Sequence, residues 1–289
     1  MPDKLLEHYG IELARSAAVT ITEQHARGVT EAQMLPRERP TTGSLTLVAQ
    51  TDGSMIPIVQ TQAATEGDAR KTRVLVWREA RLALVRRDGE IDPVFAVTLG
   101  DPAATGGLLK QLAVASGFNE RSRVHGLGDG ASWIVQQMER QFGAQGGYLI
   151  DFYHLCDYLA DAARVCAKDC PDQWMALQKE RFKTGQLSLV TAALRTYLEP
   201  DTTPTEEAPV RRCYGYIERR PGQFKYQDAI AANLPIGSGE VESAHRYVIQ
   251  ARLKLPGAWW KENNAQAMLN LRSARANDRW ADYWKTKAA

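Results

Sequence analysis

The sequence predicts an α/β fold: a mixed sheet flanked by helices, with an all-helical stretch inserted late in the chain. Three observations lead there. Residues 43–100 carry several strand-like runs divided by short turns, residues 101–170 alternate helical and strand-like patterns, and residues 171–223 show helical periodicity alone. The 289 residues are 44% hydrophobic and 24% charged, enough for a core of ordinary size. That balance excludes a disordered, collagenous or disulfide-stapled chain. No apolar run approaches the ~20 residues of a bilayer span. The opening Met1–Glu7 lacks the basic-then-apolar pattern of a secretory signal. The expectation is a soluble cytoplasmic protein without membrane contact.

Taken in order, Tyr9 to Ala26 has helical spacing (Ile11, Ala14, Ala17, Ala18, Ile21), and Pro36 to Pro40 reads as a linker. Leu45–Ala49, Met55–Val59, Arg73–Trp77, Arg81–Val85 and Val94–Leu99 are strand candidates, with Asp88-Gly89 as a hairpin turn. Consecutive strands on short turns predict an antiparallel meander. Helices are then expected over Thr105–Ser116, Ser132–Phe142 and Phe152–Ala167, and strands over Arg123–Leu127 and Tyr148–Ile150. From Pro171 to about Gly222, two helical patterns surround an acidic, Pro-rich break, Glu199 to Pro209. A last long helix is expected over Ser238–Leu255, where Val241, Ala244, Val248, Ala251 and Leu255 repeat at three-four spacing.

A formal net charge of +2 implies no partner, but its distribution is uneven. From His245 to the end there are nine Lys or Arg against three acids, and Trp259, Trp260, Trp280 and Trp284 share that stretch. Basic side chains interleaved with flat rings suit a phosphate backbone and unstacked bases. An amphipathic helix pair with a solvated face and a Trp-filled core explains the same pattern. Cys156, Cys166, Cys170 and Cys213 lack the paired spacing of a zinc site and read as free thiols.

Three acids occupy positions suited to a hard divalent cation. Asp52 follows the first strand, Asp129 follows a later one in Gly128-Asp129-Gly130-Ala131, and Glu242 lies early in the last long helix. Mg²⁺ takes oxygen ligands, few of them from protein, and two such ions about 3.5–4 Å apart can drive phosphodiester chemistry. Each acid also has a plainer explanation. Asp52-Gly53 suits a type I′ hairpin turn, Asp129 can cap the following helix, and Glu242 stands four before Arg246 as an i,i+4 ion pair. A rival uses Gly126-x-Gly128-x-x-Ala131 as a dinucleotide fingerprint, with Asp151 as the ribose acid of an oxidoreductase. Against it, Asp129 would put a carboxylate where pyrophosphate must approach backbone N–H groups.

Asp52-Gly53-Ser54, Gly128-Asp129-Gly130-Ala131-Ser132-Trp133-Ile134, Leu149-Ile150-Asp151-Phe152-Tyr153-His154 and Gly237-Ser238-Gly239-Glu240-Val241-Glu242-Ser243 occur in that order. They are followed by Arg252-Leu253-Lys254-Leu255-Pro256-Gly257-Ala258-Trp259-Trp260 and Leu269-Asn270-Leu271-Arg272. Over roughly residues 43–285 this set resembles the ISKra4-type bacterial insertion-sequence transposases of the DDE superfamily. The resemblance implies an RNase H-like catalytic domain that cleaves DNA and joins a 3′-hydroxyl to target DNA, using two Mg²⁺ ions for which Mn²⁺ can substitute. Asp52, Asp129 and Glu242 would be the catalytic and metal-binding acids. Glu240 competes for the third place, and Asp151 and His154 would support the site. Arg246, Arg252, Lys254, Trp259 and Trp260 would contact DNA.

The same resemblance implies transposon ends and target DNA as partners, a homodimer or higher oligomer on DNA, and a nucleoid-associated location. It divides the chain into a helical lead-in and linker (1–42), the first part of the core (43–170), a helical insertion before the last acid (171–223), and the last part of the core with basic aromatic helices (224–289). The resemblance implies a substantial N-terminal region in full-length relatives, where here about 42 residues precede the first strand, which fits a truncated copy, a partial reading frame or a domesticated fragment. A DNA-binding remnant without catalysis is the alternative.

Overall fold

The computed structural model describes residues 2–61 and 73–288. Five strands are present, β1 (Leu45–Thr61), β2 (Arg73–Arg87), β3 (Val94–Thr98), β4 (Ser122–Gly128) and β5 (Gly146–Ile150), in the sheet order β3-β2-β1-β4-β5. The sheet is mixed. β2 and β3 are antiparallel, and β1 with β4 and β4 with β5 are parallel. The helices are α1 (Pro2–Tyr9), α2 (Arg15–Glu31), α3 (Pro102–Ala115), α4 (Ser132–Phe142), α5 (Phe152–Cys166), α6 (Pro171–Lys183), α7 (Leu187–Arg195) and α8 (Pro209–Glu218). They continue as α9 (Tyr226–Ala231), α10 (Gly239–Ala244), α11 (Ala251–Leu253), α12 (Glu262–Ala276) and α13 (Trp280–Ala288), with π-helical turns over His245–Gln250. Among the described residues no helix is long and apolar enough to cross a membrane.

Several expected boundaries move, each for a local reason. Leu45–Ala49 and Met55–Val59 belong to one strand. Asp52-Gly53 stays extended inside it instead of turning, with the Gly53 N–H donating to the Asp52 Oδ1 at 2.7 Å. Pairing with neighbouring strands outweighs the turn preference of the dipeptide. Arg73–Trp77 and Arg81–Val85 likewise merge into β2. The helix expected from Tyr9 begins at Arg15, because Gly10 takes φ +63° and ends α1. Before the acidic break there are two helices rather than one, since Gly185 at φ +74° separates α6 from α7. The last long helix is interrupted by its π-helical turns.

The chain forms two compact units. The first comprises Met1–Thr42, Thr51–Asn119 and Glu240–Ala289, and the second Gly43–Gln50 and Glu120–Gly239. In the first, α12 packs along α2, and Ala26 and Val29 of α2 join Leu82, Leu84, Val248, Met268 and Leu269 in one core. The lead-in helix α2 is therefore part of a core. A Cβ on Gly28 would stand 2.5 Å from the Tyr283 hydroxyl, so only glycine allows α2 that close to α13. In the second unit, Leu127, Leu149 and Leu159 pack with Phe152, Phe182, Phe224 and Tyr226. Phe152 and Tyr226 meet edge to face at 5.1 Å.

Candidate functional site

The β4–α4 turn carries Asp129 and is held by side chains from elsewhere in the second unit. Gly130 takes φ +85°, and its N–H donates to the Tyr148 hydroxyl at 3.0 Å. The Tyr216 hydroxyl donates to the Asp129 carbonyl at 2.7 Å, and the Arg220 Nε to the Gly130 carbonyl at 2.9 Å. The Arg220 guanidinium also lies 4.0 Å over the Tyr216 ring. A Cβ on Gly130 would meet Arg220 Nε at 2.8 Å and the Tyr216 hydroxyl at 2.9 Å. Burial pushes both tyrosine pKa values upward and keeps the phenols protonated. The Asp129 carboxylate accepts from the Ala131 N–H through Oδ1 at 2.8 Å. This is an Asx turn just before the helix: the N-cap of α4 is Ala131, so the expected helix-capping role of Asp129 is not what its side chain performs, and the turn engages one of the two carboxylate oxygens.

The same turn disposes of the dinucleotide reading. The Gly130 and Ala131 N–H groups that would cradle a phosphate already bond Tyr148 and Asp129. Gly126 and Gly128 sit in close packing: a Cβ on Gly126 would reach Met138 Cε at 2.5 Å and the Gly147 carbonyl at 3.0 Å, and one on Gly128 would reach Tyr148 Oη at 2.9 Å and Ile134 Cδ1 at 3.1 Å. Asp151, the supposed ribose acid, is 2% exposed and fully engaged. It caps α5 by accepting from the Tyr153 and His154 N–H groups at 2.6 and 3.0 Å. Its other oxygen accepts from the Ser238 N–H at 2.6 Å and from the Ser238 hydroxyl. His154 stands beside Tyr158 and Tyr216, with ring centroids 5.6 and 5.9 Å away.

Asp52 lies in the first unit, mid-strand, with its side chain 39% exposed. His245 Nε2 is 3.3 Å from Asp52 Oδ2, without the alignment of a hydrogen bond. Burial lowers the His245 pKa to about 4, with Lys254 adding to the effect and the Asp52 backbone opposing it. The imidazole is therefore neutral near pH 7 and adds no positive charge beside Asp52. Gln50 pairs with Leu127 at the end of the parallel β1–β4 ladder. Each acid follows its own strand's member of that pair by two residues.

The two glutamates of α10 differ. Glu240 Oε1 accepts from Arg86 Nε at 2.7 Å. Glu242 is exposed, and the i,i+4 pair with Arg246 does not form. Among the described residues, no group of three or more His, Cys, Asp or Glu side chains is gathered to hold a metal ion. As donors, Asp52, Asp129 and Glu242 are all hard carboxylate oxygens, the chemistry Mg²⁺ and Mn²⁺ select.

The basic tail divides by burial. Trp260 is 6% exposed and extends the sheet edge, its carbonyl accepting from the Val59 N–H at 2.8 Å. It is a packing residue, with Arg252 4.9 Å over its ring. Trp280 stacks on Tyr283 at 5.4 Å, so the Trp-filled-core explanation holds for these two indoles. Trp259 is 60% exposed and borders a groove of about 630 Å³ with Arg73, Arg252 and Lys261. Arg246 and Lys254 are exposed, the Lys254 ammonium 3.4 Å from the Ser54 hydroxyl.

Comparison with known proteins is sparse. No curated protein matches. A solved structure described as "Drosophila P element transposase strand transfer complex" aligns over 99% of this chain and 83% of its own, at 10% identity and TM-score 0.28. One described as "Crystal structure of NurA with manganese" aligns over 93% and 65%, at 11% identity and TM-score 0.18. At such scores neither likeness assigns a fold. A family profile is decisive where these are not: matching residues 118–286, it places the chain in the uncharacterised protein family UPF0236.

Proposed function

We propose that this chain is the catalytic part of a DDE-type transposase, similar to the ISKra4-type insertion-sequence enzymes, acting on DNA ends and target DNA. The observation that carries the reading is the register: two acids 77 residues apart each follow by two residues their strand's member of the last parallel β1–β4 pair. An RNase H-like domain is the corresponding reading of the mixed sheet, with residues 171–223 as its helical insertion. Asp52, Asp129 and Glu242 are the metal-binding acids of this proposal. Glu242 is preferred to Glu240 because Arg86 already engages the Glu240 carboxylate.

When bound, the divalent ions would supply Lewis-acid stabilisation of charge on the phosphodiester oxygens. The chain's own contribution is to hold carboxylates where that charge develops. The Asp129 turn does so through Tyr148, Tyr216 and Arg220, and the Asp151–Ser238 clamp anchors the segment that runs into α10. In the first step a water oxygen attacks the end phosphodiester, one P–O bond forms as another breaks, and a 3′-hydroxyl leaves with a proton. In the second, that hydroxyl attacks a target phosphodiester with the same exchange of bonds. A homodimer or higher oligomer would hold the two ends.

The test is nicking of labelled duplex DNA in Mg²⁺ or Mn²⁺, with EDTA as control. Asp52→Asn, Asp129→Asn and Glu242→Gln should each reduce nicking to background, while Glu240→Gln retains it. Metal-dependent nicking that survives Asp129→Asn would overturn the assignment. DNA binding without nicking in the unsubstituted protein would leave the non-catalytic remnant.

A further inference from the structure

The second unit holds a cation-lined cavity that the basic C-terminal stretch does not account for. It measures about 430 Å³ and is bordered by Arg211, Arg212, Arg219 and Arg220 with Tyr158 and Tyr214, and by no acidic side chain among the described residues. The four arginines are not equivalent. Arg211 is structural: its guanidinium donates to the carbonyls of Glu199, Pro200 and Thr203. Arg220 holds the Asp129 turn. Arg212 donates to Asp161 through one nitrogen at 3.1 Å, and its buried Nε has no hydrogen-bond partner. Arg219 is exposed and makes no ion pair among the described residues.

A buried guanidinium N–H without an acceptor is costly, and an exposed one beside it raises the local potential. Both conditions are relieved by an anion with several acceptor oxygens. The cavity also ends on Tyr216, whose hydroxyl bonds the Asp129 carbonyl, so an anion there borders the turn of a proposed catalytic acid. The half-buried Tyr158 and Tyr214 add aromatic rings to the cavity wall, of the type on which unstacked bases pack.

We propose that this arginine–tyrosine cavity binds the phosphodiester backbone of a single DNA strand beside the Asp129 turn, with Arg219 and Arg212 as the phosphate contacts. The inference deepens the proposed function and rests on it for the choice of DNA as ligand. Binding, however, is measured without metal or turnover.

The experiment titrates the full chain into a fluorescently labelled single-stranded oligodeoxynucleotide in EDTA, over a range of salt. Arg219→Glu should weaken binding on the order of tenfold, and the slope of log affinity against log salt should drop by about one. Arg219→Lys should restore most of both. Arg212→Gln should weaken binding in the same direction, with circular dichroism verifying the fold. Affinity and salt slope unchanged in Arg219→Glu would overturn the proposal, whatever the nicking assay gives. Arg219-dependent binding in a chain that fails to nick would uphold the cavity while removing the transposase chemistry.

Discussion

Asp129 and Asp52 sit in unlike surroundings. Around Asp129, residues distant in sequence, Tyr148, Tyr216 and Arg220, reach in and bond the backbone of the turn, and Asp151 clamps the start of α5 to Ser238. Around Asp52 the backbone belongs to a continuous strand, and a buried neutral imidazole stands beside the carboxylate. Glu242 is more lightly held still, exposed on a six-residue helix. The difference teaches that side-chain bonds to the backbone hold the Asp129 turn, while Asp52 takes its place from the strand that carries it. Substitutions that remove the bonds around the Asp129 turn should cost stability, while substitutions at Asp52 and Glu242 should cost the proposed nicking with little loss of stability.

The sharpest way to break that comparison is Asp151→Ala. It strips acceptors from three N–H groups and a buried hydroxyl, and should destabilise by about 3 kcal/mol or more in urea denaturation. A loss below about 1 kcal/mol would show that the clamp is dispensable. Next, Gly130→Ala forces a Cβ onto Arg220 and strains a residue at φ +85°, for a loss of about 2 kcal/mol in the same measurement.

The core beneath the turn can be probed by pH. Burial raises the Cys213 thiol to about 12 and Cys166 to about 11 from an ordinary 9. The unfolded chain then loses these protons first, so stability should fall as pH rises past 9, by about 1.4 kcal/mol per pH unit for Cys213, until the folded thiol itself ionises. Cys213→Ala should flatten that slope even if it lowers stability at pH 7. The smallest effect is expected at Glu242→Gln, within about 0.5 kcal/mol by thermal denaturation, because the side chain is exposed. A large destabilisation there would erase the contrast between the units.

Much of the secondary structure was legible because periodicity records burial. Ser132–Phe142 is helical as read, and Phe152, Leu155, Cys156 and Leu159 face the core at helical spacing. The Asp52-Gly53 turn misled because a dipeptide preference carries no information about neighbouring strands. The tryptophans misled in part: nothing local says that Trp260 pairs with β1 while Trp259 faces solvent. The arginine–tyrosine cavity did leave a sequence trace, since Arg211-Arg212 near the start of α8 and Arg219-Arg220 just past its end bracket Tyr214 and Tyr216. That trace lies inside the segment read as a helical insertion, where spacing alone does not bring the arginines to the Asp129 turn. Asp151 was placed near the site by motif, but its capping partners lie in α5 and at Ser238, which no spacing rule connects.

The π-helical turns at His245–Gln250 give the stretch between Glu242 and Arg252 a wider winding than an α-helix would have. One α-helical residue corresponds to about 100° of rotation, so deleting a single residue there would swing one end of the stretch through about a quarter of a circle relative to the other. The acid and the arginine are thus phased by a local excess of chain. An engineer could retune the angle between them by length alone, leaving every side chain chemically as it is.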